Sequence, residues 1–459
     1  MDTLIHGGTV VTEDVVATLD IGISGGRIAR LSAPGSGAPA DRVIDATGLL
    51  IVAGAVDAHV HFTGSNPFPE QELFDGTCAA AMGGVTTIVE MPHSNPPATT
   101  LAAFEAKKAM AARQCVVDFG LWGGLDGRNL NELPRMRDAG ALAFKGFLCS
   151  SERDRKASDP SGLPALNDAE LVEAMRVVGQ FDGLIGLHAE NHDLLIEAQA
   201  RLKAAGRHDV RAHAESGPEI AEIEAVARII TLARETGTRC HIVHLSSGKA
   251  AALIAAAKGT APISVETCSH YLLLDEDDLI RIGPWARCGP PLRRRETIDL
   301  LWKHVLDGTI DSLASDHCPY LPEAKAIGHE SVWKAGMGLT GVQTTVPLLF
   351  SEGVLKRGLS LQEFARMTAA GPARLFGLYP RKGTIATGSD ADLVFYKTDE
   401  DWTITGQDFP GPAKWSAFEG TPCTGRVVRT MVRGVEVFAD GKIKTEAGFG
   451  TFQRGVEAS

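Results

Sequence analysis

The stretch Ile51-Val52-Ala53-Gly54-Ala55-Val56-Asp57-Ala58-His59-Val60-His61-Phe62 reads as one apolar run whose second half takes a polar residue at every other position. Side chains alternate along a strand, so Asp57, His59 and His61 share one face and two imidazoles converge on a single point. Convergent imidazoles are the geometry of a metal chelate. Alone the pair decides little, because 14 histidines in 459 residues give about 0.4 H-x-H pairs per chain by composition. Its weight comes from what surrounds it.

Seven more short runs rich in β-branched or apolar residues follow, at 86–91, 116–122, 141–148, 184–188, 239–245, 263–267 and 312–315. Segments of helical period separate them, among them 104–114, 168–181, 219–236, 249–258 and 295–306. With 51–62 this makes eight βα units, and the alternation predicts an α/β chain whose parallel sheet closes into a (β/α)8 TIM-like barrel over residues 53–378. The ends read differently. Short strands at 4–6, 9–11, 17–23 and 27–31 form an antiparallel pattern split by Gly-Gly turns, and strand patterning returns at 392–396 and 427–438, with a turn at Arg433-Gly434. Residues 1–52 and 379–459 are therefore expected to pair into one small β-sandwich domain built from both chain ends.

Hydrophobic residues make up 44% and charged residues 22% of the chain, a profile that excludes disordered, collagenous and coiled-coil classes. The net charge of −12, with no basic cluster, excludes nucleic acid and anionic membrane surfaces as partners. No apolar run approaches the roughly 18 residues of a membrane span. The start, Met1-Asp2-Thr3-Leu4-Ile5-His6, lacks the basic and apolar regions of an export signal. Eight cysteines stand singly with no C-x-x-C pair, so a reducing, cytoplasmic location is expected.

In a barrel of this kind the chemistry sits where strands end. Run 184–188 closes on His188, run 239–245 carries His241 and His244, and run 312–315 leads into Asp316-His317. Together with His59 and His61 these place four imidazoles and a carboxylate around one rim. His241 and His244 are three apart, so strand parity lets only one of them face the barrel, and the same parity separates Asp316 from His317. Run 141–148 contains Phe144-Lys145-Gly146-Phe147. A lysine in an apolar strand needs a partner, and beside such a rim Lys145 is expected to have a functional role. His270 and Arg293 read equally well as structural residues. His93 and Glu190 lie near strand ends, where a supporting role behind the rim residues is one reading and solvated loop residues are the commoner outcome, and His192, His208, His213, His304 and His329 are expected at the surface. Two motif matches carry no weight. Gly22-Ile23-Ser24-Gly25-Gly26 fits G-x-S-x-G but lies between two strands instead of opening a helix. Gly336-Met337-Gly338-Leu339-Thr340-Gly341 fits G-x-G-x-x-G but follows no strand.

The segments Phe144-Lys145-Gly146-Phe147, His188-Ala189-Glu190-Asn191, His244-Leu245-Ser246-Ser247, Glu266-Thr267-Cys268-Ser269-His270-Tyr271, Cys288-Gly289-Pro290-Pro291-Leu292-Arg293 and Ser315-Asp316-His317-Cys318-Pro319 resemble those of the cyclic amidohydrolases. That group comprises allantoinase, hydantoinase/dihydropyrimidinase and dihydroorotase, and the likeness is greatest to allantoinase. It runs from Gly54 to the C-terminal strands. The resemblance implies two zinc ions per chain, one held by His59, His61 and Asp316 and the other by His188 and His244, with a carboxylated Lys145 bridging both. It implies that a bridging hydroxide attacks a ring carbonyl while Asp316 serves as general base and then acid. That accounts for the lysine, since addition of CO2 turns a cation into an anionic oxygen donor. A small cyclic amide or ureide substrate and a homotetramer are implied as well.

Substrate contacts are expected at Thr63, Ser150 and Gly289. Dihydroorotase-like sequences place Arg where this chain has Thr63 and Asn where it has Gly289, which demotes dihydroorotate. The stretch Gly146-Phe147-Leu148-Cys149-Ser150 lacks the tyrosine of hydantoinase-like sequences. The allantoinase-like Lys-Ala-Trp-Gly-Gly segment reads Lys334-Ala335-Gly336-Met337-Gly338. The expected reaction is hydrolysis of allantoin to allantoate. Hydantoinase/dihydropyrimidinase-type hydrolysis of a related ring is the second reading, and a non-catalytic scaffold on the same fold is the third.

Overall fold

Eight parallel strands follow one another around a ring in chain order: Ala55–Val60, Val85–Glu90, Asp118–Gly124, Ala143–Phe147, Leu184–His188, Arg239–Ile242, Ile263–Cys268 and Ser312–Ala314. The computed structural model describes residues 1–35, 39–65, 67–150 and 162–455. The ring closes between the eighth strand and the first, where Val60 bridges His317 in parallel and the His61 N–H donates to the His317 carbonyl at 2.7 Å. Asp57 reinforces the closure by accepting from the Ser315 N–H at 3.1 Å. Helices cover the outside, so the strands are buried on both faces and read as nearly continuous apolar runs.

The stretch expected as one strand, 51–62, is two. Leu50–Ala53 belongs to the sheet of the chain ends, pairing with Thr9–Val11 on one side and Leu393–Tyr396 on the other. The barrel strand begins only at Ala55. Gly54 lies between them because a Cβ there would meet Thr86 Oγ1 at 2.1 Å, a close approach that only glycine allows.

Strands from both chain ends form one nine-stranded sheet. It is mixed, not antiparallel throughout, since Thr3–Val11 runs parallel to both Arg42–Asp45 and Leu50–Ala53. The two short strands expected at 4–6 and 9–11 are a single strand with a register shift, and Gly7, at φ 72°, absorbs the irregularity. The turn at Arg433-Gly434 joins Pro422–Val432 to Val435–Ala439 as expected. Gly25-Gly26 turns a hairpin between Val16–Ser24 and Arg27–Ser32. Among the helices, Glu219–Thr236 and Arg295–Leu306 occur at their predicted bounds. No helix of the described residues is long and apolar enough to cross a membrane.

A buried charge cluster locks the terminal sheet to the barrel. Lys382 is 1% exposed, and its Nζ donates to Asp118 Oδ2 at 2.5 Å and Asp392 Oδ2 at 2.7 Å while pairing with Asp390 at 3.0 Å. Asp118 opens the third barrel strand, and Asp392 immediately precedes Leu393–Thr403 of the terminal sheet. Arg433 pairs with Asp118 as well. Without the lysine the buried carboxylates lose their main counter-ion, and breaking such a cluster from one side costs about 3–5 kcal/mol. Lys382→Met is expected to lower the unfolding free energy by that amount in a denaturant titration. Lys334→Met breaks only the exposed pair with Glu330 and should change stability by less than about 0.5 kcal/mol.

Candidate metal centre

The site is organised from below by Glu266, a fully buried carboxylate on the seventh strand. It lies 2.5 Å from His59 Nδ1 and 3.2 Å from His241 Nε2, and it accepts from the His244 N–H at 3.2 Å. Burial opposes its ionisation, but His59 and His241 outweigh burial and hold the carboxyl well below the usual range. Burial likewise pushes the His59 ring toward its neutral form. The His59 Nδ1 proton is thus committed to Glu266, and the Nε2 lone pair faces the rim, as in carboxylate–histidine–metal triads.

At the rim, His59 Nε2, His61 Nε2 and Asp316 Oδ1 each lie 3.2 Å from the other two. A lone pair set against a carboxylate oxygen at that distance repels unless a ring proton or a metal cation sits between them. Around a tetrahedral ion with bonds of about 2.0–2.1 Å, ligand atoms lie about 3.3–3.4 Å apart, so the triangle has the right edge. Burial opposes ionisation of Asp316 too, yet His59, His61 and His244 hold its carboxyl well below the ordinary range.

The neighbouring groups continue the cluster. The His244 ring lies 5.2 Å from that of His59 and 4.6 Å from that of His188, and its Nδ1 is buried with no hydrogen-bond partner. Lys145, on the fourth strand, is fully buried; its Nζ has no hydrogen-bond partner and stands 4.7 Å over the Phe147 ring. Burial pulls its pKa down to about 8. His188 ends the fifth strand with Nε2 2.7 Å from Glu190 Oε2. Burial opposes its protonation, but Cys149 and Glu190 draw the pKa up to about 10. Ligand atoms of Cys149, His188 and Glu190 lie within 4.8 Å of one another, as do those of His59, His244 and Asp316.

All six residues expected as ligands, His59, His61, Lys145, His188, His244 and Asp316, line one cavity of about 300 Å³. Ser150 and Gly289 are in its wall. Thr63 is not: its hydroxyl sits between Glu90 Oε1 at 2.8 Å and the His93 carbonyl at 2.7 Å. The rest of the wall combines an apolar part, Phe147, Leu163, Leu195, Ile196 and Met337, with the polar residues Gln199, His213 and Arg287.

Strand parity fails for His241 and His244. The sixth strand ends at Ile242 and His244 takes a left-handed φ of 40°. His241 therefore lies deep in the barrel against Glu266, and His244 turns inward at the rim. Asp316, at φ 48°, likewise follows the end of its strand, whereas His317 points away, its Nδ1 accepting from the Gly341 N–H at 2.9 Å.

Two histidines expected at the surface are buried. His192 Nδ1 accepts from the Ser150 N–H at 3.2 Å, and His213 Nε2 donates to the Cys288 carbonyl at 2.8 Å. They lie on His192–Ala204 and Val210–Ser216, helices that the sequence reading did not anticipate and that cover the cavity. His208 and His329 are exposed, and His304 is half-buried. His93 and Glu190 are not solvated loop residues either, since both line the cavity. Arg293 is pinned to Ser246 Oγ at 2.9 Å and Glu222 Oε2 at 3.3 Å. Glu266 and Cys149 were missed as site residues. A carboxylate inside an apolar strand is as anomalous as Lys145, so the same burial argument applied to run 263–267 would have found Glu266.

The family model described as "Amidohydrolase family" matches residues 50–437. An L-hydantoinase of Paenarthrobacter aurescens is 39% identical over 464 aligned positions, covering 100% of this chain and 99% of its own. An allantoinase of Solibacter usitatus is 38% identical, covering 97% of this chain and 96% of its own. The solved structure of an L-hydantoinase (dihydropyrimidinase) from Arthrobacter aurescens superposes with a TM-score of 0.94 at 38% identity, over 98% of this chain and 99% of that one. Motif resemblance, barrel and similarity over nearly the full length therefore agree, and the chain belongs to the amidohydrolase family.

Proposed function

We propose that the protein hydrolyses the amide bond of a five-membered cyclic ureide, the ring shared by allantoin and the hydantoins, at a centre of two divalent metal ions. The observation that carries this reading is Lys145: a fully buried ammonium with no hydrogen-bond partner, beside imidazole and carboxylate atoms that converge at 3.2 Å. Such a lysine is costly as a bare cation. Burial lowers its pKa to about 8, so about a tenth of it is free amine at pH 7, far more than for an ordinary lysine, and a free amine adds CO2, forming an N–C bond, releasing a proton and gaining an anionic oxygen donor. His59, His61 and Asp316 would hold one ion, His188 and His244 the other, and carboxylated Lys145 both. Imidazole and carboxylate donors suit zinc. When bound, the ions supply Lewis acidity toward a carbonyl oxygen and lower the pKa of water toward neutrality.

The chain's own groups account for the remainder. Asp316 takes the proton of the attacking water on its carboxylate and returns it to the ring nitrogen, so that water adds across the C–N bond, oxygen to carbon and hydrogen to nitrogen. Glu266 holds the His59 ring in the orientation this requires. The apolar wall around Phe147 and Ile196 excludes bulk water, and a cavity of about 300 Å³ is at the small end of ligand sites, suited to a single ring. Relatives named L-hydantoinase and allantoinase, 39% and 38% identical, support a hydantoin-like ring over dihydroorotate.

The reading is tested by assaying metal-loaded protein against allantoin, hydantoin, dihydrouracil and dihydroorotate side by side. At least one of the first two should be opened about tenfold faster than either six-membered ring. Turnover of dihydroorotate alone would overturn the ring assignment, and turnover of none would favour a non-catalytic scaffold. Elemental analysis should find about two zinc ions per chain, and Lys145→Ala should lose at least one of them together with roughly 1,000-fold or more of the activity. Glu266→Gln should retain the fold but weaken metal affinity by about 10- to 100-fold in a competitive chelator titration.

A further inference from the structure

Arg287 lines the same cavity but takes no part in the metal cluster. It follows the turn Gly283–Ala286, is 9% exposed, and donates from Nη1 to the Ala335 carbonyl. Its Nε is buried with no hydrogen-bond partner. Burial pulls its pKa down to about 10, which leaves it charged at neutral pH, and its acidic neighbours are the Tyr320 phenol and the Cys288 thiol. Neither is a carboxylate, and burial pushes the Cys288 thiol up to about 12, so it carries no charge. Behind Arg287 lies a second basic side chain, Lys325, whose pKa burial pulls down to about 7. Lys325 Nζ is caged by the carbonyls of Arg287, Gly336 and Gly338 at 3.0, 2.9 and 2.9 Å. Among the described residues, neither ion-pairs with an acid.

A buried guanidinium without a counter-ion is expensive unless a ligand supplies the negative charge. A guanidinium with unused N–H groups is the side chain best matched to a carboxylate. We infer that Arg287 is a specificity-determining residue and that the cavity selects ureide rings whose C5 substituent ends in a carboxylate. Leu195, Ile196 and Met337 of the same wall take the methylene stem while Arg287 receives the tip. The inference rests on the ring-opening reading above and adds the chemistry of the substituent.

The test is calorimetric binding of 5-(2-carboxyethyl)hydantoin and its isosteric carboxamide to the full-length, metal-loaded protein, with turnover of both rings and of hydantoin measured in parallel. Wild type should bind the carboxylate at least tenfold more tightly than the carboxamide. Arg287→Gln should bring that ratio to about one, with a 10- to 100-fold loss on the carboxylate, and Arg287→Lys should retain part of it. If the glutamine variant fails to fold, the wild-type ratio decides. A wild-type ratio near one, or an equal loss on both rings in Arg287→Gln, overturns the inference. If hydantoin is opened but the carboxylate is not preferred, the hydrolase reading stands and this inference falls. If no ring is opened yet the preference and its loss are seen, the anion site stands and the hydrolase reading falls.

Discussion

Closure of the barrel between its first and last strands is the constraint on which the site depends. Asp57 and Ser315 are 258 residues apart in sequence yet joined at 3.1 Å, and the His61 N–H reaches the His317 carbonyl at 2.7 Å. This pairing brings Asp316 against His59 and His61. The register also matters, because a slip of one residue would turn a strand's side chains to the opposite face. Without closure the triangle of His59, His61 and Asp316 atoms has no third corner.

The two ends of the barrel treat charge in opposite ways. Where the third strand begins, Asp118 is met by Lys382 and Arg433, and the buried charges are paired. At the other end the pairing stops just short of the rim. Glu266 satisfies His59 and His241 below, while the Lys145 Nζ and the His244 Nδ1 above them have no hydrogen-bond partner. Satisfied charge stabilises a fold, and unsatisfied charge held in a rigid shell is prepared for a ligand. The strand direction sorts the two, with stability at the N-terminal ends and chemistry at the C-terminal ends.

Much of this arrangement is legible in the sequence, for local reasons. His59 and His61 share a face because strand side chains alternate, and both meet Asp316 as that reading requires. Lys145 is conspicuous because a lysine is out of place in an apolar run, and it is fully buried. The readings that failed did so where the local rule stopped applying. The parity of His241 and His244 assumes a strand that continues, and the chain leaves the strand at Ile242. The run 51–62 looks uninterrupted because Gly54 carries no side chain, yet there the chain passes from one sheet to another. His192 and His213 read as surface groups because nothing in their helices shows what lies against them.

By itself, the sequence determined the strand and helix periods, the eight βα units, and the residue types that stand at the strand ends. These follow from backbone geometry repeated over a few residues, and that geometry is local. Only the tertiary structure decided which of those side chains share a cavity, that Glu266 orients His59 from below, that Thr63 turns to Glu90, and that Arg287 lies buried without a carboxylate. Those facts depend on registers, on left-handed residues at strand ends, and on the cost of burying charge among neighbours hundreds of residues away. No local period of the sequence carries that information.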